Sequence, residues 1–377
     1  MGRNCTVRFR NTLASAVGRS SIRRVTDAYA ASGVDTSESA LAIEALVGVL
    51  RTIDLGRPSR SRLPSGHYAA VLEIGPNLGL ALSTDGVGSK VVVAEQTGRF
   101  DTVGIDCIAM NANDVVCVGA EPIAVLDYLA VERADPGMLR ELAVGLKAGA
   151  EAAGVEIPGG ELAQLPELIR GHPSPGGFDL NGACVGVVAL DALVTGSAAT
   201  PGDALIGLPS SGVHSNGLTL ARRALLKDGA FALHDRPPAL GGASIADALL
   251  KPTVIYVRAV LDLLRSGVPV HGLAHITGDG LRNLLRLHAP VGYEVVDPLP
   301  VPPVFDLIAR SGGIDDAEMH DVFNMGCGFV CVVPADRAAD AVAVLERHHP
   351  GARPIGRVTR DAGTVTVPPR GLRFTRD

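Results

Sequence analysis

Short apolar runs and helical stripes alternate along the whole chain. After Asp35, able to cap a helix with Glu38 three residues in, Leu46, Val49, Leu50 and Ile53 recur at helical spacing. From Tyr68 the pattern shortens to apolar runs at 69–74, 78–83 and 91–94, broken by Gly, Pro and Asp, which predicts strands and tight turns. Residues 105–118 are apolar on nearly every face and predict a buried helix. Residues 123–131 predict a strand, and Asp135-Pro136 opens a helix that runs to about Ala153 and stops at Gly154. A Gly/Pro-rich loop at 171–177 precedes another strand, 183–190.

A second unit begins near residue 199. Its order is a strand (204–208), a Gly/Ser loop, helices near 218–227 and 253–265, and a strand with a Gly-rich turn (272–280). Strands near 293–296 and 327–333 then alternate with helices near 305–309 and 335–348. The fold class is α/β (α+β), divided as residues 25–198 and 199–377. Two Gly-rich halves suggest one anion site built between them.

Composition narrows the picture. The 377 residues suit two domains, and 47 % hydrophobic with 20 % charged residues can bury a sizeable core. No apolar stretch reaches the roughly 18 residues of a membrane span. A formal charge of −6, 13 Phe and Tyr residues and no Trp argue against nucleic-acid binding. The Cys residues have neither metal-type spacing nor a disulfide framework, and most sit in apolar runs, so they are expected as buried thiols of a cytoplasmic protein. Only Lys90, Lys147, Lys227 and Lys251 are lysines among 34 basic residues, which makes a Lys inside a motif informative. Residues 1–24 carry six Arg and no acid, and are expected to be a basic extension, a transit segment or upstream sequence outside the catalytic part.

Five segments carry candidate chemistry. In Ser83-Thr84-Asp85-Gly86-Val87-Gly88-Ser89-Lys90, Gly86 and Gly88 allow close approach to an anion, Lys90 offers a positive charge and Asp85 a ligand for Mg²⁺; a simple hairpin turn is the competing reading. On a helix over 105–118, Asp106 and Asn113 share a face, with Asp114 about 100° further round. Apolar neighbours make buried carboxylates there costly without a cation, so Mg²⁺ is one expectation and a helix cap the other. Gly159-Gly160-Glu161 sits where a strand is expected to end. Ser210-Ser211-Gly212-Val213-His214-Ser215-Asn216-Gly217 leads into a helix as a phosphate cradle or a plain capped loop. His275-Ile276-Thr277-Gly278-Asp279-Gly280 is again a strand, turn and helix, and His275 alone reads as a core histidine. Neither a nucleophile elbow nor a dinucleotide fingerprint is present. The residues by themselves describe an enzyme that uses a nucleotide and Mg²⁺.

In order, these segments resemble the phosphoribosylformylglycinamidine cyclo-ligase (aminoimidazole ribonucleotide synthetase) family. Tyr29-Ala30-Ala31-Ser32-Gly33-Val34-Asp35 resembles its Y-x-x-A-G-V-D, 84–90 its T-D-G-V-G-T-K, and 104–122 its G-I-D-x-x-A-M-x-x-N-D-x-x-x-x-G-A-E-P. Similar matches are L-D-Y-x-A at 126–130, S-S-G-x-H-S-N-G at 210–217, P-T-x-I-Y-V at 252–257, H-I-T-G-G-G at 275–280 and F-N-M-G-x-G at 323–328. The stretches 66–70 and 115–120 look like the archaeal branch. The resemblance implies closure of formylglycinamidine ribonucleotide to aminoimidazole ribonucleotide with release of ADP and phosphate. It implies an N-terminal α/β domain whose sheet forms a barrel across a homodimer, and a C-terminal α/β domain.

Carried over by motif, the resemblance assigns Asp85, Asp106 and Asp114 to Mg²⁺, and Asp85, Gly86, Gly88, Asn113, Gly159, Gly160 and Glu161 to ATP. Lys90 would contact phosphate, His214 and His275 are candidate proton carriers, and Ser211, Gly212, Ser215, Asn216 and Thr277 would face substrate. Departures from the pattern are Leu162 and Gln164 after the Gly pair, and Asp279 in place of a Gly. Rival readings are another ATP-using member of the same superfamily, such as a small-molecule kinase, and a catalytically dead nucleotide-binding paralogue.

Overall fold

The computed structural model describes Ser32 and residues 36–375. The basic extension 1–24, the Asp35 cap and all of the 29–35 motif except Ser32 lie outside the described residues. Helix α1 (Thr36–Leu50) leads in, with Leu41, Leu46 and Val49 exposed.

Strands β1 (Ala70–Gly75), β2 (Leu78–Gly86), β3 (Glu121–Val131), β4 (Glu156–Gln164) and β5 (Phe178–Ala189) form the first sheet in the order β1-β2-β5-β3-β4. Only β3 and β4 run parallel, because a helical crossover joins them. Helices α2 (Lys90–Thr97), α3 (Val103–Val116) and α4 (Pro136–Ala153) accompany this sheet. The crossover helix α4 starts and stops where its sequence dictates. Asp135 accepts bonds from the Gly137 and Met138 amides at 2.9 Å, Pro136 opens the first turn, and Gly154 closes it at φ 74°.

Leu180, Gly182, Cys184, Gly186 and Val188 alternate along β5 and are buried. Glycine is required there for the approach of α3. A Cβ on Gly182 would lie 2.8 Å from Asn111 Nδ2, and one on Gly186 would collide with Val115. Helices α3 and α4 touch in the same way, since a Cβ on Gly104 would strike the Leu146 backbone and one on Gly145 the Asp101 carbonyl.

The second sheet has β6 (Ala204–Pro209), β7 (Gly272–His275), β8 (Gly292–Val295), β9 (Cys327–Val333), β10 (Arg353–Thr359), β11 (Thr364–Val367) and β12 (Leu372–Thr375), in the order β12-β11-β8-β10-β6-β9-β7. Every residue of β9 is buried. With this sheet go α5 (Leu218–Arg222), α6 (Ile245–Leu249), α7 (Val257–Arg265), α8 (Pro303–Gly312), α9 (Asp316–Val322) and α10 (Ala338–Leu345). The apolar core crosses between the halves: Val116 and Cys117 belong to the cluster of Tyr256 and Phe329, while Val304 and Phe323 belong to that of Val71 and Leu180.

Three expectations are corrected. Residues 91–94 are helical, inside α2, because Gly88 turns the chain at φ 69° and a helix follows. Gly159 and Gly160 lie within β4, an exposed edge strand, rather than at its end. Residues 251–256 form an irregular strap, and the helix expected from 253 begins at Val257. Cys107, Cys117, Cys184, Cys327 and Cys331 are free and buried, as their apolar settings predict. Among the described residues no helix is long and apolar enough to cross a membrane.

Candidate active site

Strand register assembles an acidic row that no single motif reveals. Asp85 on β2 is paired with Gly182 on β5, Gly182 with Asp127 on β3, and Asp127 with Gly160 on β4. Paired residues point to the same face of a sheet, so Asp85 and Asp127 flank a glycine floor under α3, about 10 Å apart across two strand spacings. Burial raises the pKa of both carboxyls, and the nearby Asp114 charge raises that of Asp85 further. Asp85 accepts the Gly86 amide at 2.7 Å, and Asn111 donates to the Asp85 carbonyl at 3.0 Å. Asp127 was missed as a site residue, although a charge inside an apolar strand was the available signal.

Helix α3 delivers its polar side chains toward the second half. Asp114 Oδ1 lies 2.9 Å from His275 Nδ1, and Asn113 Nδ2 lies 3.3 Å from His275 Nε2. A carboxylate and an amide NH₂ on opposite sides assign the proton to Nδ1, which donates to Asp114, and make Nε2 the acceptor. Asn113 also donates to the Val254 carbonyl and accepts the Tyr256 amide, both at 2.9 Å. Asn113, expected at the nucleotide, is thus bonded here to the 251–256 strap and to His275.

Lys90 and Asp106, expected at phosphate and Mg²⁺, are paired with each other in this structure. Lys90 Nζ lies 2.9 and 2.8 Å from the two Asp106 oxygens and donates to the Lys251 carbonyl at 2.7 Å; both side chains have zero exposure. Asp106 Oδ1 also receives the Thr253 amide at 2.7 Å and its hydroxyl at 2.6 Å. In this arrangement the lysine is spent on Asp106 and Lys251 rather than presented to the site, and three donors meet at Asp106 Oδ1. The motif supplied the charges, but they neutralise each other.

The 210–217 loop converges on the same strap. His214, in left-handed backbone at φ 62°, accepts the Ser211 amide at 3.1 Å and the Val254 amide at 3.5 Å through Nε2. Its proton therefore sits on Nδ1, which is buried without a protein partner. Burial first, then the His275 and Lys90 charges, hold His214 well below the usual imidazole range, so it is a neutral donor. Ser211 donates to the Pro252 carbonyl at 2.5 Å, and Ser89 meets Thr219 at 2.9 Å, tying the turn at Gly86–Gly88 to α5. Asn324 donates to the Gly212 carbonyl and accepts from Ser210, both at 2.8 Å. Asn216 Oδ1 is buried and unpaired, with its amide beside Gly278. Thr277 lies 3.5 Å from Asn283, whose amide pins the carbonyls of Gly278 and Gly280. Arg286, another residue missed in the sequence, donates to the Gly66 and His67 carbonyls and lies 4.5 Å over the Tyr68 ring. Its charge reaches Asp85.

Gly159, Gly160 and Glu161 are exposed on the β4 edge. Between that edge and α4 lies a cavity of about 300 Å³ lined by Asp127, Leu129, Leu139, Leu142, Leu146 and Gly160. Among the described residues no three His, Cys, Asp or Glu side chains converge as a ready-made metal cage.

Residues 66–188 match the AIR synthase related protein, N-terminal domain, and residues 200–368 match its C-terminal domain. The fold is similar to a crystal structure of the hydrogenase maturation protein HypE (TM-score 0.59, 21 % identity, 87 % of this chain and 95 % of that one). It is similar also to tt0281 from Thermus thermophilus (TM-score 0.55, 24 % identity, 85 % and 95 %). These define the class as a two-domain AIR synthase-like fold. Phosphoribosylformylglycinamidine cyclo-ligase of Methanothermobacter thermautotrophicus is 46 % identical over 340 residues, 90 % of this chain and 96 % of that protein. That of Thermococcus gammatolerans is 47 % identical over 339 residues, 89 % and 96 %. The chain belongs to the phosphoribosylformylglycinamidine cyclo-ligase family.

Proposed function

We propose that this chain closes the imidazole ring of aminoimidazole ribonucleotide from formylglycinamidine ribonucleotide, converting ATP to ADP and phosphate. The observation that carries the reading is identity of 46 % across 90 % of the chain to a protein of that name, with His214, His275 and Asp114 gathered at one joint. Solved relatives of the same fold, HypE and Thermotoga maritima PurL, were crystallised with ATP and ADP, which supports a nucleotide here.

Asp85 and Asp114 fit Mg²⁺ best: their charges already repel, and the ion needs only one or two carboxylates beside phosphate oxygens. Asp127, Gly160 and Glu161 border the cavity that suits the nucleotide. Bound Mg²⁺–ATP supplies the phosphoryl group that turns the formyl oxygen into a leaving group. The chain's own part is placement. His275 is held by Asp114 and Asn113 with its tautomer fixed, and neutral His214 keeps a buried Nδ1–H without a protein partner. Ser211, Gly212, Ser215, Asn216 and Thr277 border the substrate side.

A homodimer in the cytoplasm completes the reading. The sheet face opposite α3 leaves Leu78, Leu126 and Tyr128 exposed, which supports burial against a second copy. The experiment is ADP release from Mg²⁺–ATP with and without formylglycinamidine ribonucleotide. Release that does not depend on this substrate overturns the proposal, and a monomer by light scattering overturns the dimer.

A further inference from the structure

The strap at 251–256 is held from both sides, and Thr253 is its one side chain bonded to each. Its hydroxyl lies 2.6 Å from Asp106 Oδ1 and 3.2 Å from Ser215 Oγ. Asp106 is a carboxylate locked to Lys90 with no exposure, so it only accepts. The single Thr253 proton is therefore spent on Asp106. In the contact with Ser215 the donor has to be Ser215. A directed relay results, from Ser215 O–H to Thr253 O–H to the Asp106 carboxylate, anchored by the Lys90 ammonium.

We propose that this relay makes Ser215 a hydrogen-bond acceptor for the ligand, with Thr253 and Asp106 as positioning residues that set its polarity. A serine in a Gly/Ser loop before a helix is ordinarily read as a phosphate donor. Here its proton points inward, toward Thr253, and its free lone pairs take a ligand N–H or O–H. Resting on the cyclo-ligase reading, the chemistry that fits is an amidine or amide N–H, or a ribose hydroxyl, of formylglycinamidine ribonucleotide. Ser215 then discriminates for a donor group and is no part of a phosphate cradle.

Thr253→Val keeps the shape and the backbone bond to Asp106 but removes the relay hydroxyl, and Thr253→Ser keeps that hydroxyl. Losing one oriented hydrogen bond predicts that Thr253→Val raises KM for formylglycinamidine ribonucleotide about ten-fold while KM for ATP stays within about two-fold. Thr253→Ser restores the value to within about three-fold. Ser215→Ala shows a similar loss, and adding Thr253→Val to it brings no further one. Independent multiplication of the two losses, equal changes in both KM values, or failure of Thr253→Ser to recover overturns the relay. If the wild-type chain releases no ADP in response to this substrate, the cyclo-ligase reading falls on its own. The relay is then judged by deuterium exchange of residues 210–217. Faster exchange in Thr253→Val than in wild type and Thr253→Ser supports it, and equal exchange overturns it.

Discussion

Lys90→Met separates the role the motif suggests for this lysine from the one its surroundings impose. Methionine matches the length of lysine and removes only the charge and donors. What remains is Asp106, fully buried, with the Thr253 amide and hydroxyl but no cation. Breaking one side of a buried pair costs about 3–5 kcal/mol. The Lys251 carbonyl also loses its donor, for about 1 kcal/mol more. The sum of about 4–6 kcal/mol corresponds to a fall of about 8–24 °C in Tm for units of this size. Urea unfolding followed by circular dichroism measures it directly. Asp106→Asn added to Lys90→Met removes the stranded charge while retaining an acceptor for Thr253, and recovers most of the loss. A Lys90→Met protein within about 1 kcal/mol of wild type that is nevertheless inactive would refute the argument, because it would make Lys90 a phosphate contact after all.

Acid sensitivity follows from one buried and one half-buried imidazole. Burial holds His67 and His349 at about 4 in the folded chain. Unfolded histidines protonate near 6.5, so the unfolded state binds more protons between the two values: stability is complete above about pH 6.5 and falls as pH drops toward 4, by up to about 3 kcal/mol for His67. His67→Gln flattens part of that slope, and an unchanged slope contradicts the assignment. Asp279 sits in left-handed backbone at φ 71°, so Asp279→Ala costs about 1 kcal/mol whereas Asp279→Gly stays within about 0.5 kcal/mol of wild type. Thermal melts distinguish them, and equal losses would remove the conformational explanation. Burial pushes the Cys184 and Cys327 thiols up to about 12, so the five buried cysteines resist a thiol reagent at pH 8 and all react in urea. Rapid labelling of any of the five in the native protein would show the burial wrong.

Local chemistry was legible in the sequence wherever one residue decided it. Asp135 and Gly154 bound α4 as expected, and the apolar run at 327–333 is β9. The run at 91–94 was ambiguous because four apolar residues suit a buried strand or a buried helix turn equally. Motif lysines and acids were recognised, but their partners were not: Asp106 meets Thr253 from 147 positions away. Asp127 escaped notice for the related reason that strand register, absent from linear spacing, sets it beside Gly160 and opposite Gly182. His275 alone looked like an ordinary core histidine. Only the approach of α3 to β7 shows it gripped by Asp114 and Asn113.

The glycine contacts of α3 bear on how freely the interior can vary. Gly104 and Gly145 bring two helix backbones together, and Gly182 and Gly186 bring α3 down onto the sheet, with no layer of side chains between. A spacer made of leucines or valines drifts when those residues are exchanged, whereas bare backbone has a fixed thickness. The height of Asp106, Asn113 and Asp114 above the acidic row is therefore gauged by peptide groups. Lineages can trade one core hydrophobe for another without retuning the chemistry, while a single methyl group at Gly145 or Gly186 would shift the acids together.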